Sequence, residues 1–359
     1  MSVKRITRIV LTCSAILFLS GCGGIKPKID QEKDYIFFPS LPNEPRFQYL
    51  TTFSTSDDVK KKSSLFKFVA GKKELKARTI IKPYGIGIFE GIIYVCDLRS
   101  SAIIVIDLNK KSFGYMGVSG AGKLKKPANL FIDKTERLLY VTDTGRKQIL
   151  AFDLKGKLKK AFGKIDEYTP ADIMLYKGKI YISDLKSHQI LVLDKKTGKI
   201  KKRIGEIGHL DDQLYHPASF DIHNDRIYIS DMTNFRINIF GVDGKHISSF
   251  GSIGRRPGNF ARPKGIDVDR EGRIYVIDSA FENIQIFDKE FRLLLFMLSP
   301  GGEPHNINLP VSILIDYDNV HYFKKYISPD FKAEYILLVT SQFGRNKVNV
   351  YAFGKYEKN

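Results

Sequence analysis

Cysteine is scarce in this chain: Cys13, Cys22 and Cys96 are the three in 359 residues. No Cys-x-x-Cys-His occurs, so covalent haem of that kind is excluded and any redox chemistry would have to come from a partner. Long apolar runs are missing as well. The apolar stretch 9–19 follows Lys4, Arg5 and Arg8, and it is too short for a good spanning helix, so it reads as a secretory leader. Acidic residues are outnumbered, 39 Asp and Glu against 58 Lys and Arg, for a formal charge of +19. That surplus means either a surface that seeks anions or a lysine-rich solubilising shell.

The leader ends in Leu19-Ser20-Gly21-Cys22, which resembles a bacterial lipobox. The resemblance implies a signal peptide at 1–21 and a lipid on Cys22, with Gly23 after it favouring the outer membrane. More than one acyl chain would give stable anchoring. With Cys22 acylated, Cys96 is the one free thiol of the mature chain and no internal disulfide can form. Cys96 stands where other repeats carry Thr142, Ser183, Ser230 and Ile277, the pattern of a small buried core residue rather than a reactive thiol. Residues 22–45 contain Pro27, Pro39, Pro42 and Pro45 with little periodicity and read as a semi-extended tether.

What the chain does have is repetition. Ile92–Asp97, Leu138–Asp143, Lys179–Asp184, Arg226–Asp231 and 273–278 all read as apolar strands of the form Tyr-Val/Ile-x-Asp or close to it. Their Asp residues are spaced by 46, 41, 47 and 47 positions, a period that belongs to propeller blades. Each repeat opens at a proline: Pro83, Pro127, Pro170, Pro217, Pro263 and Pro310. The Asp-containing strands are almost wholly apolar, as expected of strands covered on both faces. The sixth repeat carries an insertion around 318–334 and runs out of chain before a fourth strand. Residues 46–53 (RFQYLTTF) have the fourth-strand pattern and lie outside every other repeat, so they are expected to complete the last blade. The expected architecture is all-β: a six-bladed β-propeller over 46–359, with four-stranded blades and the last one closed by an N-terminal strand. Residues 57–70 suggest a short helix across one end.

These features resemble the NHL-repeat family over about residues 80–355. The carrying motifs are linkers such as Gly205-x-x-Gly208 and Gly251-x-x-Gly254 leading to Leu214 or Phe260 and a proline, then Pro83-Tyr84-Gly85-Ile86 or Pro263-Lys264-Gly265-Ile266, then Tyr-Val/Ile-x-Asp. The sixth blade departs most, with Leu338-Val339-Thr340-Ser341 in place of the Asp phrase. With the lipobox and tether, the whole is similar to bacterial propeller lipoproteins, most of which lack a defined activity.

Candidate chemistry follows from position. An Asp recurring once per blade serves the blade, by accepting backbone amides in the loops. Related propellers with lactonase-like or amidating-lyase-like activity hold a metal near the channel, and the matching positions here are Asn129, Asp172 and His216. A recurrent His set is missing, since the residues before the prolines are Lys82, Lys126, Thr169, His216, Arg262 and Leu309. The loops between second and third strands share a face with the linkers. That channel-mouth face would carry the candidate binding residues Arg99, Arg146, Lys147, Lys186, His188, His216, Arg236 and Arg262. Arginine favours bidentate recognition of carboxylate or phosphate. The resulting expectation is a non-enzymatic, lipid-anchored scaffold of the bacterial envelope, without cofactor, held at the outer membrane. Its partner would be an envelope protein, an anionic polysaccharide or lipid headgroups, not nucleic acid. The alternative is a metal-dependent hydrolase or lyase at the central channel.

Overall fold

The computed structural model of the protein describes residues 35–60, 77–164 and 166–357. Six antiparallel sheets stand around a common axis. The first five are built in chain order from strands starting at Pro83, Pro127, Pro170, Pro217 and Pro263. In each, the proline-led strand is innermost and the strand ending in Asp lies next to it, as in Pro170–Tyr176 beside Lys179–Asp184. Those second strands are buried on both faces because a neighbouring blade covers each side.

The sixth sheet takes its inner three strands, Pro310–Asp316, Phe331–Ser341 and Val348–Tyr356, from the end of the chain. Its fourth is Phe47–Phe53, paired with Val348–Tyr356 from Phe47↔Phe353 to Phe53↔Val348. The closing strand expected from the sequence is therefore present. One further strand was not expected: Phe37–Phe38, within the stretch read as tether, pairs outside it through Phe37↔Gln48 and Phe38↔Phe47. The short helix expected over 57–70 falls mainly on residues outside those described.

The closing strand works through both faces. Leu50 and Phe53 enter the core between blades six and one, with Ile88, Val95, Leu338 and Val350. Phe47 enters the core between blades five and six, with Tyr275, Ile286, Leu337 and Phe353. Gln48, fully buried, has both ends of its amide satisfied: it donates to the Tyr326 carbonyl at 2.8 Å and accepts the Ser328 amide at 3.0 Å. Those two residues border the sixth-blade insertion, whose 3₁₀ turn Val320–Tyr326 buries Phe323 in the blade six–one core. Neighbouring inner strands touch all the way around, blade six against blade one included.

The Asp at the end of each second strand is a loop hub. Asp97 accepts the amides of Ile81 and Lys82 in the incoming linker (2.7 and 2.8 Å) and those of Arg99 and Ser100 in the loop that follows (3.0 and 2.8 Å). Asp143 does the same for Lys125, Lys126, Gly145 and Arg146, and Asp278 for Ala261, Arg262, Ala280 and Phe281. A carboxylate holding four backbone amides joins the linker to the next loop at the top of the blade. In blade six Ser341 replaces it, and Glu282 of blade five accepts the Leu309 amide at 2.7 Å instead. Among the described residues no helix is long and apolar enough to cross a membrane.

Deleting 35–53 is expected to abolish the cooperative thermal transition, because two inter-blade cores lose a wall. Phe47→Ala alone should cost about 3–5 kcal/mol in denaturant unfolding. Unchanged melting of the deletion would refute the role of this strand.

Candidate functional site

The channel mouth is set by the residue after each repeat proline: Tyr84, Ala128, Ala171, Ala218, Lys264 and Val311. Four of the six are Ala or Val, which leaves room for the two large members. Lys264 of blade five places its amine 5.4 Å from the centroid of the Tyr84 ring of blade one. Burial, then the neighbouring charges of Arg262 and Lys82, lowers the Lys264 amine to about 8. The Tyr84 phenol is pushed up to about 12 by burial and by Asp172 below it, against the pull of Arg262. His216 joins the same group. Burial and the adjoining His188, Lys264 and Arg262 hold its imidazole below the ordinary range. His188 Nδ1 accepts the His216 backbone amide at 2.8 Å, so neutral His188 carries its proton on Nε2. Among the described residues, the side chains of Lys82, Arg262 and Lys264 have neither an acidic partner nor a hydrogen-bond acceptor. Three cations thus converge on the mouth uncompensated.

Beneath the mouth the inner strands are tied by carboxylates. Asp172 Oδ1 accepts its own chain's Ile173 amide at 2.7 Å and the side-chain amide of Asn129. Its Oδ2 accepts the Ser219 hydroxyl at 2.5 Å and the Phe220 amide at 2.9 Å. One side chain therefore spans blades two, three and four. Gly85 makes this possible, because a Cβ there would come within 2.0 Å of Asn129 Oδ1. The same device continues around the ring. Asp221 accepts the Val268 amide of blade five at 3.1 Å, and Asp267 accepts the Ile315 amide of blade six at 2.7 Å. Burial outweighs these bonds, pushing Asp172 up to about 6 and Asp221 up to about 7.

The sequence-derived candidates divide into three groups. His188, His216 and Arg262 meet at the mouth, and Arg99 is exposed on its loop in blade one. Lys147 pairs with Asp166, and Lys186 donates to the Asp166 carbonyl. Arg146 and Arg236, by contrast, hold linkers in place. Arg146 donates to the carbonyls of Ala121 and Lys123 at 3.0 and 2.8 Å. Arg236 is buried; it donates to Asp231 at 3.0 Å and to the carbonyls of Leu210 and Gln213 at 2.6 and 2.8 Å. Tyr84 and Lys264 escaped the sequence reading, although their size at a position otherwise filled by Ala or Val was a usable signal.

Of the three residues considered as metal ligands, Asn129 and Asp172 meet, but each Asp172 oxygen already accepts two donors. His216 keeps company with cations. Among the described residues no three His, Cys, Asp or Glu side chains are grouped to hold a metal ion.

Comparison with known proteins supports the architecture. Residues 211–352 match the family model DUF5128, a 6-bladed beta-propeller. Protein brain tumor of Drosophila melanogaster is 29% identical over 118 residues, which is 32% of this chain and 11% of that protein. The chain thus spans about a tenth of that relative's length. A gluconolactonase from Xanthomonas campestris superposes with a TM-score of 0.58 at 14% identity, over 87% of this chain and 91% of its own. A virginiamycin B lyase from Staphylococcus aureus gives 0.54 at 13% identity, over 77% and 96%. At these identities the likeness is one of fold.

Two outcomes check the assignment of structural roles. Arg236→Ala should lose about 3 kcal/mol of stability, because it leaves the Asp231 carboxylate buried with fewer partners. A neutral result would return Arg236 to the binding surface. Asp172, raised in the folded state, binds its proton more tightly there than in the unfolded chain, so its contribution to stability falls as pH rises from about 4 to 6. Asp172→Asn removes that slope. The stability of the variant relative to the parent should rise by on the order of 2 kcal/mol between pH 4 and 7. A pH-independent difference would contradict the burial of this carboxyl.

Proposed function

We propose that the protein is a non-enzymatic binding module of a bacterial envelope, an NHL-type propeller lipoprotein held at the outer membrane through lipid on Cys22. It engages an anionic partner at the channel mouth. The observation that carries this reading is the convergence of Lys82, Arg262 and Lys264 without counter-charges, over a ring where the carboxylates are already bound to backbone amides. Cations gathered in a partly desolvated concavity without acids raise the local potential and favour an incoming carboxylate or phosphate. Tyr84 supplies a flat apolar floor beside them. The leader and lipobox sequence support the anchor; Cys22 lies outside the described residues.

A metal-dependent lyase or hydrolase, the activity named for solved propellers of similar fold, would use Asn129, Asp172 and His216. The adjacency of Asn129 and Asp172 favours it. It would require Asp172 to release donors that tie three blades together, so the binding reading is the stronger. Stoichiometric zinc, calcium or manganese in purified protein would reverse that order.

Calorimetric titration with tripolyphosphate tests the binding reading. Arg262→Ala with Lys264→Ala should weaken binding at least tenfold while leaving the melting temperature in place. Affinity should also fall as pH rises through about 8, where Lys264 loses its proton. Equal affinity of parent and variant would overturn the assignment of the mouth.

A further inference from the structure

We infer that the anionic partner is a lipid bilayer surface, and that blades five, six and one form the sector that lies on it. This rests on the reading of the channel-mouth face as the binding face. The independent observation is where large apolar side chains are left in water. Ile253 in the linker into blade five is 68% exposed, Phe343 in the top loop of blade six 61%, and Ile81 at the entry to blade one 47%. Sheet topology puts all three loops on the face where second strands end and linkers enter. They belong to consecutive blades, so they occupy one sector of that face.

The same loops carry exposed cations. Arg255 and Arg256 follow Ile253, Arg345 follows Phe343, and Lys82 follows Ile81, with Arg99 on the neighbouring loop. No side chain of these five makes an ion pair or hydrogen bond with the described residues. The acids of the sector are fewer. Asp58 is turned onto the Ser54 and Thr55 amides and Glu282 onto that of Leu309, leaving Asp57 and Glu303.

Single apolar side chains on separate loops, each followed by cations, suit a bilayer interface. There each apolar group enters the acyl boundary while Lys and Arg stay among anionic headgroups. A protein interface instead gathers its apolar residues into a charge-depleted centre, which this arrangement does not form. The opposite side of the same face argues for orientation. Ile207 and Leu210 are also exposed there, but Glu206, Asp211 and Asp212 flank them, and an anionic surface repels that linker. The propeller therefore lies tilted, with blade six toward the lipid and the linker into blade four away from it.

The test uses the full chain with Cys13→Ser and Cys22→Ser, so that no acyl chain is attached; Cys96 is fully buried. An environment-sensitive fluorophore is placed on Phe343→Cys and, separately, on Lys155→Cys of the opposite face. Vesicles of phosphatidylcholine with phosphatidylglycerol, carrying a nitroxide at the headgroup, should quench the probe at 343 and not at 155. Phosphatidylcholine alone should quench neither. Arg255→Glu with Arg256→Glu should lower the quenching-derived partition about a hundredfold, and high salt should do likewise. Equal quenching at 343 and 155, or none at 343, overturns the inference. If the probe at 343 answers to polyglutamate and not to vesicles, the partner is an acidic protein and the lipid assignment falls. If vesicles fail while tripolyphosphate still binds, the binding reading stands without the lipid; if both fail, both readings fall.

Discussion

Ring closure is the constraint on which the rest of the molecule depends. Six twisted sheets leave two open edges unless the last is completed by a strand from the other end of the chain. Phe47–Phe53 does so, with Phe47 in one inter-blade core, Leu50 and Phe53 in the next, and Gln48 joined to the sixth-blade insertion. The channel mouth inherits its geometry from that closure. Lys264 belongs to blade five and Tyr84 to blade one, and they meet across the mouth because blade six holds the ring shut between them.

Closure also explains how the charge is distributed. Acidic side chains are drawn inward by backbone amides that the propeller leaves unpaired. The second-strand Asp residues gather the amides of linkers and loops, and Asp172, Asp221 and Asp267 gather the free edges of inner strands. The basic residues have no comparable internal task, apart from Arg146 and Arg236, which hold linker carbonyls. A chain already rich in Lys and Arg therefore presents cations at its surface while many of its carboxylates lie within. At the mouth this leaves Lys82, Arg262 and Lys264 without partners, the feature from which the functional reading starts.

Much of this was legible in the chain because a repeat reports on itself. Blade number, strand order, the closing strand and the role of the recurring Asp followed from period and alternation, since a residue needed in each blade is visible several times. What was not legible depends on how linkers wrap over the top. Arg146 and Arg236 look like exposed loop arginines in sequence; only the path of 117–126 and 205–216 brings carbonyls against them. Lys264 and Tyr84 were hidden for the opposite reason. Their departure from Ala is plain, but their meeting crosses a whole blade. Phe37–Phe38 was concealed by the prolines after it, which mask a strand only two residues long.

The most direct test of the central claim is hydrogen–deuterium exchange of the full chain, mapped with and without phosphatidylglycerol-containing vesicles. The account predicts slowed exchange in 251–262, 341–347 and 78–82, with no change in the opposite-face loops 153–157, 194–199 and 288–292. Slowed exchange confined to the opposite-face loops, or none in the folded blades, would contradict it.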